Sequence, residues 1–392
     1  MKKILPVLLI TVLILVIATQ KPHSIPAFAR KYRMTCKTCH SPFPKLTDYG
    51  EDFAGNGFRL PDKEAPRYYV DTGDESLSLI RDFPIAFRLD GYVQYFDYKD
   101  YGKPDFATPY LLKIISGGEI TEGIGYYAYF YFDERGEVAG IDDAFIVFND
   151  LFGADLDLYL GQFAVSDPLF KLELRLTLEG YKIYKTNVGT TRANLGYDRG
   201  VMITLGLDTG TDVVFELVNG SGIEEAIIFQ EFDRDKYKTV LGRVSQNIGD
   251  CLRIGAFGYV GKEANENQDN AIWMAGADAT VAIEPFELNL QYLERNDDNP
   301  FFALIEHDEV RTKGVVAELV FRPEGDDSDW YCVGLYNSVD SNLEELNYES
   351  GTFHIGYLLR RNIRLVGEYT YVFDDFQRGE YSRFTLGLIT AF

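Results

Sequence analysis

From about Phe83 onward, apolar and polar residues alternate with a period of two. Ile85, Phe87, Leu89, Val93 and Tyr95 occupy one side of the first run, and Arg88, Asp90, Tyr92 and Gln94 the other. The pattern returns in Trp273, Ala275, Ala277, Ala279 and Val281 against Met274, Asp278 and Thr280. It returns again in Val315, Ala317, Leu319 and Phe321 against Glu318 and Arg322, and in Phe384, Leu386, Leu388 and Phe392 against Arg383 and Thr385. Successive side chains of a strand point to opposite faces, so these runs predict strands with one apolar and one polar side. A soluble sandwich alternates in the same way, and alternation alone does not say which solvent the apolar face meets.

The spacing of turns narrows the choice. Tight-turn sequences fall near 119–123, 150–154, 208–211, 247–250, 284–285, 323–328 and 361–362, and longer polar connections lie between them, as at 296–309 and 339–348. Short turns at one end and long loops at the other characterise a transmembrane antiparallel β-barrel, here of about sixteen strands of roughly ten residues. The chain ends on Phe392, like the terminal aromatic that outer-membrane barrels present for assembly. The connection at 164–192 stands apart. In it Lys171, Glu173 and Arg175 alternate with Leu172, Leu174 and Leu176, which reads either as an ordinary pair of strands or as a third loop folded inward to narrow a pore.

Composition agrees with a barrel. A soluble chain of 392 residues would form two or three domains, but 27 Tyr and 28 Phe bring aromatics to 15% while Cys, Met and His number four each. The formal charge of -23 argues against nucleic acid as a partner and favours cations or basic proteins. Lys2 and Lys3 followed by the apolar run 4–18 read as an export signal cleaved after Ala18, with a later site after Ala29 as the alternative. The run is short for an uncleaved anchor, which needs about 20 residues.

Just downstream, Cys36-Lys37-Thr38-Cys39-His40 has the C-x-x-C-H spacing of covalent haem c attachment. In that chemistry two thiolates bond the haem vinyl groups, and the adjacent imidazole becomes the proximal iron ligand. A redox dithiol or zinc half-site is the alternative, but no second close pair of cysteines completes a zinc site. A helix is expected over 43–57, from Phe43, Leu46, Tyr49 and Phe53 at helical spacing, closed by Gly55, Gly57 and Pro61. The expected organisation is a signal peptide at 1–18, a monohaem segment at 19–82 and the barrel at 83–392. The middle piece is near the lower size limit for an independent core, so a haem there needs cover from elsewhere.

A distal ligand is also missing from the segment after His40. No His or Met lies between His40 and Met202. Lys45, Lys63 and Tyr49 are possible ligands, but His and Met are the commoner ones, which leaves His23, Met34, Met202, Met274, His307 and His354. In strand phase Phe353, Ile355 and Tyr357 face lipid, which turns His354 inward; Val201, Ile203 and Leu205 likewise face lipid, which turns Met202 inward. His354 is placed ahead of Met202.

The stretch Ile25-Pro26-Ala27-Phe28-Ala29-Arg30-Lys31-Tyr32-Arg33-Met34-Thr35-Cys36-Lys37-Thr38-Cys39-His40, with Phe43-Pro44-Lys45-Leu46 and Gly57-Phe58, resembles the fused monohaem cytochrome–porin family of outer-membrane proteins. The specific likeness covers the haem region. Over the barrel it is architectural, apart from segments such as Gly161-Gln162-Phe163 and Ser166-Asp167-Pro168-Leu169-Phe170. The resemblance implies one haem c, held by Cys36, Cys39 and His40, and electron transfer at the outer membrane. Some members oxidise ferrous iron, so extracellular ferrous iron is the expected donor and a periplasmic soluble cytochrome, or another carrier, the expected acceptor. Two other functions fit the same sequence: a porin-like solute channel with a haem plug or redox sensor, and a barrel subunit of a larger extracellular electron-transfer complex.

Two minor features complete the reading. Asp297, Asp298, Glu306, Asp308 and Glu309, and separately Glu344, Glu345 and Glu349, form acidic loops that either attract a divalent cation or are simply solvated. Cys251 and Cys332 begin strands too far apart for a disulfide and are expected to be small buried or lumen-facing residues.

Overall fold

The computed structural model describes residues 27–32, 34–60, 73, 74, 76, 77, 79 and 84–392, the last range without 138, 139, 224, 225, 227, 266, 267 and 305–307. The expected signal peptide, His23, Pro61, Lys63, Glu306 and His307 lie outside the described residues.

Sixteen strands close into one antiparallel barrel. They are β1 (Ile85–Tyr98), β2 (Gly102–Thr121), β3 (Ile124–Glu134), β4 (Gly140–Phe148), β5 (Leu156–Ala164), β6 (Tyr197–Leu207), β7 (Thr211–Val218) and β8 (Thr239–Ile248). The second half comprises β9 (Leu252–Asn265), β10 (Gln268–Ile283), β11 (Phe286–Asp297), β12 (Val310–Phe321), β13 (Trp330–Ser341), β14 (Tyr348–Arg360), β15 (Ile363–Asp375) and β16 (Tyr381–Ala391). Each strand pairs with its sequence neighbours, and β16 returns to β1. Phe392 seals that seam: its amide donates to the Phe87 carbonyl (2.9 Å), the Phe87 amide donates back (2.7 Å), and the two rings stack at 5.8 Å.

The alternation sorts as expected. Val93, Tyr95, Phe353, Ile355, Phe384 and Leu386 are exposed on the outer wall, whereas Asp90, Gln94, His354, Glu368 and Thr385 are buried within. An outer face this apolar around a polar interior is the arrangement of a wall solvated by lipid. All seven predicted tight turns lie at one end of the barrel, where the connections span 122–123, 149–155, 208–210, 249–251, 284–285, 322–329 and 361–362. The loops at 165–196, 219–238 and 298–309 leave the opposite end. By the rule that periplasmic turns are short, the first end faces the periplasm.

The segment 165–196 is the third loop of the long-loop end and folds into the lumen. It forms no strand, only 3₁₀ turns at Leu172–Leu174 and Lys182–Lys185. A strand needs a neighbouring ladder, and here the wall supplies side chains instead. Glu368 accepts from the amides of Leu178 (2.6 Å) and Glu179 (3.0 Å), Asn337 accepts from the Lys182 amide (3.3 Å), and Arg295 donates to the carbonyls of Thr186 (3.1 Å) and Ala193 (2.7 Å). The loop's Leu172, Leu176, Tyr181, Ile183 and Tyr184 are buried, the first and last three in one cluster with wall residues such as Val316 and Leu335.

The N-terminal segment carries α1 (Ala27–Tyr32) and α2 (Asp48–Gly55). The helix expected over 43–57 is shorter at its start. Pro44 disfavours the helical region for Phe43, and Thr47 caps α2 by accepting from the Gly50 amide (3.2 Å). Phe28, Tyr32, Phe53 and Phe58 make a small aromatic core, with ring centroids 5.2 Å apart for Phe28 and Phe58 and 5.6 Å for Tyr32 and Phe53. That core continues into the barrel, where Phe58 stacks on Tyr127 of β3 at 4.5 Å. The undersized segment thus completes its core with the barrel wall.

Candidate functional site

Cys36, Lys37 and Thr38 form a single 3₁₀ turn, and the amides of Cys39 (3.2 Å) and His40 (2.9 Å) both donate to the Cys36 carbonyl. This winding brings the two half-buried thiols and the imidazole onto one compact turn. Gly50 of α2 packs against it so closely that an added Cβ would stand 2.1 Å from the Cys39 carbonyl oxygen. His40 Nδ1 lies 2.9 Å from the Pro44 carbonyl oxygen, which places the proton on Nδ1 and the lone pair on Nε2. Burial lowers the His40 pKa to about 4, so the imidazole is neutral at neutral pH, and burial raises both thiols. Two unpaired thiols and a neutral imidazole oriented by a backbone carbonyl form a donor set suited to a covalently attached haem.

The turn sits in the periplasmic mouth. Lys37 pairs with Asp327 (2.8 Å), Lys45 with Glu287 (2.6 Å), Arg322 donates to the Ser41 carbonyl (2.8 Å), and Arg364 to the Phe43 carbonyl (2.6 Å). All four wall residues lie at turn ends of β11 to β15. Across the mouth, the Gly55 carbonyl accepts from Asn149 (2.9 Å) and Tyr159 (3.3 Å), and Arg59 pairs with Asp150.

His354 and Met202 both face inward and are buried, as the strand phase predicted. They lie on β14 and β6, eight positions apart around sixteen strands and therefore on opposite walls. His354 shares its wall with the anchors of the cysteine turn. Its Nδ1 meets Glu368 Oε2 at 3.0 Å and its Nε2 faces the Tyr331 hydroxyl at 3.4 Å, and that hydroxyl accepts from Arg364 (2.7 Å). Arg364 thus connects the cysteine segment, through Tyr331 and His354, to Glu368 and the inward loop. Met274 is also buried and inward on β10. Lys45 is committed to Glu287, and Tyr49 is exposed on α2.

A polar cavity remains between the inward loop and the wall of β1 to β3 and β14 to β16. Its lining runs from Glu134 and Arg135, at the long-loop end, past Glu173 and Arg175 of the loop, to His354 and Arg364. Arg364, Tyr331 and Glu368 escaped the sequence reading. Their inward strand phase was visible, but their partners are distant in the chain.

The acidic loops are partly spoken for. Asp297 is fully buried and ion-paired with Arg295 (2.6 Å), Glu309 pairs with Arg311 (3.2 Å), and Glu349 accepts from Tyr336 (2.8 Å). Among the described residues no group of three or more His, Cys, Asp or Glu could hold a metal ion. Cys251 and Cys332 depart from expectation. Cys251 is exposed in a periplasmic turn, and Cys332 shares the outer face of β13 with Trp330, because strand phase rather than residue size sets the side.

No protein-family model matches the chain, and no curated protein matches it. Solved structures do. An anion-selective porin from Comamonas acidovorans superposes with a TM-score of 0.59 at 12% identity, covering 79% of this chain and 99% of the porin. The outer membrane channel DcaP of Acinetobacter baumannii gives 0.56 at 14% identity, covering 79% and 97%. OprB of Pseudomonas putida gives 0.54 at 12%, covering 90% and 99%. The fold is therefore that of a sixteen-stranded porin barrel, and with its lipid-facing wall the chain is an outer-membrane protein.

Proposed function

We propose that this barrel carries one haem c on Cys36, Cys39 and His40 and transfers electrons across the outer membrane, as a relative of the fused monohaem cytochrome–porin proteins. The observation that carries this reading is the cysteine turn itself, with its thiols, neutral His40 and Pro44 contact, fixed at the periplasmic mouth. A bound haem would supply reversible one-electron chemistry. Cys36 and Cys39 would hold it covalently, and His40 would present Nε2 to the iron with its ring aligned by Pro44. The proposed distal ligand is His354, ahead of Met202, because His354 lies on the wall that anchors the turn; Nε2 would have to leave Tyr331 to serve. The proposed donor is extracellular ferrous iron, which loses one electron to become ferric, and the acceptor is a soluble periplasmic cytochrome or similar carrier. A hydrocarbon layer of about 30 Å is too thick for unaided electron passage, which favours a redox group seated inside the barrel mouth.

The test is stopped-flow mixing of purified full-length protein with ferrous iron, followed optically. A reduced c-type spectrum appearing on mixing supports iron oxidation. A barrel band without covalent haem removes the redox reading altogether.

The second reading is a solute channel, favoured by the porin and channel structures that the chain resembles and by the polar cavity beside the inward loop. Conductance in planar bilayers from protein with no redox response to ferrous iron would select it.

A further inference from the structure

The charges around the lumen cavity do not balance. The lining holds four acids and five Arg or Lys side chains. Asp90 pairs with Arg88 (2.8 Å) and Glu134 with Arg135 (3.9 Å) within it, while Glu173 and Glu368 take partners from outside the lining, Lys113 (2.7 Å) and Arg383 (3.3 Å), the latter shared with Glu179 (2.8 Å). Three basic side chains of the same lining, Arg175, Lys185 and Arg364, have no carboxylate within ion-pair distance among the described residues. Arg364 is only 3% exposed; its contacts are the neutral Phe43 carbonyl and the Tyr331 hydroxyl, and its Nε is buried without a partner. Arg175 donates one bond, to the Leu172 carbonyl (2.6 Å), and its Nε is likewise buried and unpartnered.

Arg364 is the almost wholly buried member of the three, and burying a cation with no carboxylate bonded to it is costly; Arg175 and Lys185 are less enclosed and meet Glu173 only beyond bonding distance. The whole chain is strongly acidic, so this local excess of cations is not a by-product of composition. A guanidinium cannot shed its proton to relieve the cost, and its planar fork matches the paired oxygens of a carboxylate or phosphate. We propose that this cavity is a binding site for a small oxyanion, held by Arg175, Lys185 and Arg364 on the way through the lumen. Arg175 and Lys185 present the inward loop's side of the site, and Arg364 presents the barrel wall. The site rests on charge and geometry within the barrel and does not depend on the haem reading. Its sign repels bare ferrous ion, so an iron donor would have to react at the outer loops or arrive as an anionic complex.

The experiment is calorimetric titration of the full-length, detergent-solubilised protein with inorganic phosphate, on folded material defined by heat-modifiable migration. Saturable binding is expected, weakened roughly ten-fold or more in R175Q and in R364Q, as for loss of a charged hydrogen bond, and unchanged in K171Q, which alters an exposed lysine of the same loop. Two folded variants keep the test valid if one of them fails to assemble. The same titration on Cys36→Ala/Cys39→Ala protein separates the sources of the anion. Binding in both the haem-attaching and the thiol-free protein supports a solute site. Binding only in the thiol-free protein overturns it and gives the arginines to the haem's own carboxylates, and no binding in either overturns it as well. Haem staining is read separately, so loss of the redox reading leaves this result standing.

Discussion

Lys45, in the N-terminal segment, sets its Nζ 2.6 Å from Oε1 of Glu287, 242 residues further along the chain at the periplasmic end of β11. Glu287 is 5% exposed and also receives a bond from Asn289 (3.0 Å). The pair clamps the cysteine turn to the barrel rim. Glu287→Gln removes the charge and keeps the shape, at a cost of about 2 kcal/mol for a charged hydrogen bond. Limited proteolysis within 34–60 should accelerate by up to roughly thirty-fold if local opening governs cleavage, with the barrel band intact. An unchanged rate would show that the ion pair does not hold the segment.

Replacing Cys36 or Cys39 by Ala should weaken or abolish covalent haem at the barrel's mass on a denaturing gel. Wild-type protein with no haem stain refutes the attachment proposal.

His354 bridges Tyr331 and Glu368, and removing it leaves two buried polar groups short of a partner, a loss of about 1–3 kcal/mol. If His354 ligates the iron, His354→Ala also shifts the Soret band, and Met202→Ala does not. Equal, unshifted spectra in both variants would rule out both His354 and Met202 as the distal ligand.

Glu368 accepts the amides of Leu178 and Glu179 and so ties the inward loop to β15. Glu368→Gln should loosen that tie. In planar bilayers the variant should show larger or noisier single-channel currents than wild type, and identical traces would place the constriction elsewhere.

Deleting Phe392 removes two backbone bonds and a ring contact at the β1–β16 seam. The heat-modifiable fraction should fall, as read by gel shift of boiled against unboiled samples.

The barrel was legible because lipid outside and polar side chains inside impose a two-residue period that no packing detail erases, as Phe353, His354 and Ile355 show. Its seven turns were legible from the Gly, Asp, Asn and Pro that interrupt the alternating runs. The inward loop was not settled by its own sequence: Lys171 to Leu176 alternates as a strand would, and only the wall's Glu368, Asn337 and Arg295 reveal that its backbone is bonded by side chains. The short start of α2 follows from Pro44 and Thr47, which the apolar spacing of Phe43 and Leu46 masked. The Arg364 contacts were out of reach, since Phe43 stands 321 residues away.

The seating of the cysteine turn also sets a timetable for biogenesis. Its anchors Glu287, Arg322, Asp327 and Arg364 belong to the last strands and turns to be exported, and none is in position until those strands have joined the sheet. Cys36 and Cys39, by contrast, leave the translocation channel early and are half-enclosed once seated. Any enzyme that must grip both thiols therefore has its window while the barrel is still an unfolded passenger in the periplasm, before the mouth exists to receive them.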